Sequence, residues 1–230
     1  MAARATPARV RIAADGSDAA RGRLTRAGRA PIGDIATGAG CAGTPPCQSS
    51  PTRAPPWRRA HPRRPSPSVP SACTGTDLLP VEANLPAVNA ATLCLVNRGR
   101  AAHGLGALAD QPQLDQAALR HGQDMIARSY FDHQGPAGDT PFTRIRDSGF
   151  IPAGATSFEV GENIAWGTGV QATPSQIVAA WIASPEHLAN ILDANYVYSG
   201  ISVEPSVPAA LSAGSLGATV TQDFGVASGS

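Results

Sequence analysis

Near residue 72 the chain changes character, and that change bounds where a folded core can form. Residues 1–72 carry twelve arginines against three aspartates, a formal +9, with no apolar run at helical or strand spacing. The remainder carries six arginines against fourteen acids, a formal −8, so the total of +1 conceals two opposed halves. A strongly charged segment of low hydrophobicity cannot bury enough apolar surface to offset the entropy of ordering it. Residues 1–72 therefore read as a disordered Arg/Pro/Ala-rich tail or linker, and residues 77–226 as the folded domain.

The basic tail has a single aromatic residue, Trp57, and no helical period, so it lacks the stacking platform that would accompany nucleic-acid binding. No nucleic-acid partner is expected. All 18 basic residues are arginine. Without lysine there is no P-loop on phosphates and no Schiff-base amine. No stretch is long and apolar enough to cross a bilayer, and no transmembrane segment is expected. No secretory leader is legible in the tail either, which raises the expectation that a true leader belongs to a different start.

From residue 77 the pattern is that of a folded protein. Leu85, Val88, Thr92, Leu95 and Val96 fall on one helical face, and Gly104 can close that helix. A second helix starts near Asp110 with Pro112 in its first turn; Leu114, Ala117, Ala118, His121 and Met125 form its stripe. Thr140 and Pro141 open a third helix that Gly149 closes, and Thr173 with Pro174 opens a fourth, with Ile177, Val178, Trp181 and Ile182 inward. "SPEHLANIL", residues 184–192, adds a short polar-fronted helix. "FEVGENIAWG" reads as a short strand, and "YVYSGISVE" and "GATVTQDFG" as two more. Helices first and strands late predict an α+β domain, helices on an antiparallel sheet.

The four cysteines, Cys41, Cys47, Cys73 and Cys94, show no CxxC spacing, which argues against a zinc knuckle. A Cys73–Cys94 bridge would pin the leading segment to the first helix, worth about 3 kcal/mol for a loop of that size. Cys94 as a small buried hydrophobe is the alternative reading.

Three places put an ionisable group where an apolar element ends: His133 in "YFDHQGP", Glu162 in "FEVGENIAWG" and His187 in "SPEHLANIL". Two imidazoles and a carboxylate suit a divalent metal or an acid–base pair on a ligand. The central expectation is that these three, remote in sequence, meet in one water-accessible hollow. His121 and His103 read as structural, one in a helix stripe and one at a helix end. "GTGVQA" fits a dinucleotide fingerprint only formally, because Pro174 follows and no βαβ unit surrounds it. No GxSxG elbow and no HExxH occurs.

The ordered set "LCLVNRGRAAHGLGALADQPQLDQAALRHGQDMIARSYFDHQGP", "GENIAWG", "AAWIASPEHLANIL" and "VTQDFG" resembles the CAP family, over about residues 80–225. That family comprises cysteine-rich secretory proteins, antigen 5 and plant pathogenesis-related 1 proteins, and the likeness is to its bacterial secreted branch. The resemblance implies an α-β-α sandwich with a central antiparallel sheet between helical layers, and an extracellular location. Carried over by position, His133 matches the family's first cleft histidine and Glu162 its "GEN" acid. The second acid's place holds Ser184 and the eukaryotic second histidine's place holds Thr219; His187 matches a histidine of the bacterial branch. The implied cleft is His133, Glu162, Asn163, Ser184, His187 and Asn190, with Asn190 orienting the backbone and Glu186 facing solvent.

Three functions follow as expectations. The first is a secreted binding module for lipid, small amphipathic or cell-envelope ligands, received through the His133/Glu162 cleft. The alternative is a metal-assisted hydrolase, with Glu162 as base and His133, His187 and Glu162 suited to zinc. The third is structural, a hydrogen-bond clip joining loops to the sheet.

Overall fold

The computed structural model describes residues 71–212 and 216–228, and the backbone of residues 11–12 and 20–23. Most of the expected disordered tail, with Cys41 and Cys47, lies outside the described residues.

Five helices follow the sequence punctuation. α1 (Leu85–Ala102) buries Val88, Ala91, Thr92 and Val96 on one face, and Gly104, at φ +73°, takes the left-handed turn after it. α2 (Pro112–Arg128) begins on Pro112, where an absent N–H costs nothing, and buries Leu114, Ala117, Ala118, His121 and Met125. α3 (Pro141–Asp147) is capped by Thr140, whose hydroxyl accepts from the Thr143 amide at 3.3 Å while the Thr143 hydroxyl accepts from the Thr140 amide at 2.8 Å. α4 (Pro174–Ala183) and α5 (Pro185–Leu192) meet at Ser184. In α4 the inward face is narrower than its run of apolar residues suggests: Ile177, Val178 and Trp181 are buried, but Ile182 is 39% exposed.

The strands are β1 (Arg11–Ile12), β2 (Ala20–Arg23), β3 (Ala109–Asp110), β4 (Ser157–Thr168), β5 (Tyr198–Glu204) and β6 (Gly217–Ser228). Their order is β1-β4-β6-β5-β3, with β2 also along β4. β4 pairs antiparallel with β6 along all twelve of its residues, longer than the short strand expected. β5 pairs antiparallel with β6, and β3 runs parallel to β5 over two residues.

Side chains alternate across the strands and recruit two helical layers. On one face Val160 packs with Leu114 and Ala117 of α2, Ile145 of α3 and Phe150. On the other, Ala165, Val220, Phe224, Ile201 and Val203 pack with Val88 and Val96 of α1, Ile177 and Trp181 of α4, and Ile191 of α5. The result is the α-β-α sandwich. Gly200 allows the close approach of α2, since a Cβ there would meet the backbone of Leu114 and Asp115. Cys73 and Cys94 form a disulfide, with Cα atoms 5.8 Å apart, that ties the leading segment to α1.

Candidate functional site

Strand alternation at "GEN" sends adjacent residues to opposite faces. Glu162 points into the α2/α3 layer and is 1% exposed. Its Oε1 accepts from His133 Nδ1 at 2.8 Å, and Arg144 Nη2 donates to Oε1 at 3.1 Å and to Oε2 at 2.9 Å. His121 Nε2 lies 3.6 Å from Oε1. The same Arg144 nitrogen donates to the His133 carbonyl at 2.8 Å, and its Nη1 pairs with Asp139 at 2.8 Å. One guanidinium thus fixes both the carboxylate and the loop that carries His133. Because a carboxylate only accepts, the His133 nitrogen facing it carries the proton.

Burial alone would raise the Glu162 carboxyl; His121, Arg144 and His133 together outweigh it and hold it at about 2. Burial, set against the Glu162 charge, lowers the His121 imidazole below its ordinary value, and Arg144 is the permanent cation against Glu162. Asp223 stands opposite Glu162 on β6 and is fully buried. Burial, and then the Glu162 charge, push its carboxyl well above the usual range.

Asn163 points the other way, toward α5. It donates to the His187 carbonyl at 3.2 Å, while Asn190 donates to the Glu162 carbonyl at 3.2 Å and to Asn163 Oδ1 at 3.0 Å. These three bonds fasten α5 to β4. The buried His187 ring hydrogen-bonds through Nδ1 to the Ser184 hydroxyl at 2.7 Å, and that hydroxyl also donates to the exposed Glu186 at 3.1 Å. Arg100 holds the far end of α5, donating to the Ile191 and Asp193 carbonyls at 2.7 and 2.8 Å.

Of the residues singled out from sequence, His133 and Glu162 are in direct contact. The backbone of His187 joins the same strand through Asn163, and its ring bonds to Ser184. His121, Asp139, Arg144 and Asp223 complete the cluster without having been anticipated. The one available signal was a histidine interrupting the apolar stripe of α2. The Glu162 carboxylate is not a free metal donor. Both Glu162 oxygens are engaged by a guanidinium, and His133 Nδ1 is committed to the same carboxylate. Among the described residues no three His, Cys, Asp or Glu side chains form a group able to hold an ion.

Residues 93–208 match the cysteine-rich secretory protein family. The chain belongs to the CAP family. An uncharacterized Bacillus subtilis protein, YkwD, is 37% identical to this CAP protein over 107 residues, 46% of this chain and 38% of YkwD. The match thus spans well under half of that relative's length. Among solved structures, an extracellular protein containing an SCP domain from Bacillus anthracis has a TM-score of 0.45 and 23% identity, covering 62% of this chain and 40% of that one. An outer surface protein of Borrelia burgdorferi has a TM-score of 0.46 and 19% identity, covering 58% and 87%.

The β5 side of the CAP domain's sheet carries a groove of about 660 Å³. α1 contributes Pro86, Ala90 and Leu93, α2 contributes Leu119, and Ile201 of β5 also lines it. The polar cluster is therefore built on β4 and β6, and the apolar groove lies along β5. No helix among the described residues is long and apolar enough to cross a membrane.

Proposed function

We propose that this CAP domain is a secreted binding module for a small amphipathic or cell-envelope ligand, received by the α1/α2 groove. One contrast carries the reading: the groove is open and largely apolar, whereas the Glu162 carboxylate is saturated by Arg144 and His133. A cavity of this volume with a few polar groups is typical of small-molecule sites. A carboxylate held ionised by a guanidinium is a poor general base and a poor metal ligand, so no hydrolytic step is assigned to it. His133 and Glu162 on one face of β4, and Asn163, Ser184, His187 and Asn190 on the other, act as clips that fasten the α2–α3 loop and α5 to β4.

Secretion is supported by the disulfide, which persists in oxidising compartments. The secretory character of the matching family points the same way.

Native mass spectrometry of the chain incubated with a bacterial envelope lipid extract tests the proposal. A bound amphiphile retained by His133→Ala and lost from Ala90→Trp is expected. Retention by Ala90→Trp, or loss from a folded His133→Ala, would overturn the assignment to the groove.

A further inference from the structure

We infer that the groove selects a cationic amphiphile, an alkyl or other apolar tail bearing an ammonium or guanidinium head; this rests on the groove being the binding site. The geometry begins with an open sheet edge. β3 pairs with β5 only at Tyr198 and Ser199, so among the described residues the edge beyond Ser199 has no neighbouring strand. Its outward amides are satisfied by side chains instead. Asp115 Oδ1 of α2 accepts from Ile201 N at 2.8 Å, and Asn89 Oδ1 of α1 accepts from Val203 N at 3.1 Å.

The bond to Ile201 sets Asp115 in the groove wall, which Asp110, the last residue of β3, also lines. Two aspartates thus line a cavity whose other walls include the apolar Pro86, Ala90, Leu93 and Leu119 and the amides Asn89 and Asn97. Among the described residues no arginine lines the groove, and the chain has no lysine. Burial first and Asp110 among the further causes raise the Asp115 carboxyl to about 6, with no cation opposing them. A positive head beside the pair would relieve that repulsion while its tail covers the helical stripe. A fatty carboxylate would add a third negative charge at the same place.

The test uses the full chain and three dodecyl probes below their micelle concentrations: dodecylammonium, dodecanol and dodecanoate. Calorimetric titration should show dodecylammonium binding at least about tenfold tighter than either other probe, the effect of one favourable charge contact. Asp110→Asn/Asp115→Asn should remove that advantage and leave dodecanol unchanged. The Asp115→Asn change keeps a side-chain oxygen for the Ile201 amide, and Asp110→Asn alone, at an exposed position, reads the charge effect if the double variant unfolds. Equal affinity for amine and alcohol, or insensitivity to the Asp substitutions, overturns the cation inference and leaves the groove standing. Failure of every probe to bind, or binding that Ala90→Trp does not weaken, overturns the groove and this inference together.

Discussion

Glu162 and Asp223 face each other across β4 and β6, and Arg144 is the guanidinium set against both. Two carboxyls so close cannot both ionise without large cost. Arg144 bonds to Glu162, which takes the charge, and Asp223 keeps its proton. The polar interior of the α2/α3 layer is thus an ion pair beside a neutral acid.

Breaking that pair from one side should be severe. Arg144→Met leaves a buried carboxylate without its cation, and a loss of about 3–5 kcal/mol is expected in urea unfolding at pH 7. Arg144→Met/Glu162→Gln should recover much of the loss, because both charges are then gone. A double variant as unstable as the single one would contradict the pairing.

The acid limb of stability follows from the sign of the Glu162 shift. Its folded value of about 2 lies below the unfolded value of about 4.3. Its contribution is complete above the unfolded value and drains away as pH falls toward 2. Glu162→Gln should therefore flatten the stability curve between about pH 4 and 2. Parallel curves for the two proteins across that window would refute the ionised state.

Asp115 works in the opposite sense. Raised to about 6, chiefly by burial and also by Asp110, it holds a proton that the unfolded chain releases near about pH 4. Stability should decline as pH climbs from about 4 to 6. Asp115→Asn, which still accepts from Ile201, should lessen the decline in chemical denaturation between about pH 4.5 and 6.5.

The Cys73–Cys94 bridge closes a separation of 21 residues. Replacing both cysteines by serine should cost about 3 kcal/mol while the rest of the fold persists. An unchanged melting temperature would show that the leading segment is held by other contacts.

Metal analysis offers a separate check on the clip. After incubation with zinc and desalting, the chain should retain well under one equivalent. Stoichiometric zinc lost on His133→Ala would restore the hydrolase reading.

Much of the architecture was legible in local chemistry. Pro112, Pro141 and Pro174 open helices, and Gly104 and Gly149 close them, because these residues have few other conformations to offer or take the left-handed turn at little cost. The length of β4 was not legible, since Glu162 and Asn163 interrupt its apolar pattern and find partners only in the folded layers. The His133–Glu162 contact followed from family resemblance rather than spacing. Arg144 was hidden because an arginine on a short helix ordinarily faces solvent, and its role requires Asp139, His133 and Glu162 to converge on it. The groove was equally hidden, because an open strand edge is a property of pairing that no single segment announces.

Methyl and imidazole NMR of the full chain during titration with dodecylammonium addresses the division between groove and clip most directly. Saturable shifts at Leu93, Leu119 and Ile201 are expected, with the His133 and His187 ring signals unmoved. Shifts centred on His133 and His187, with the three methyl residues silent, would contradict it.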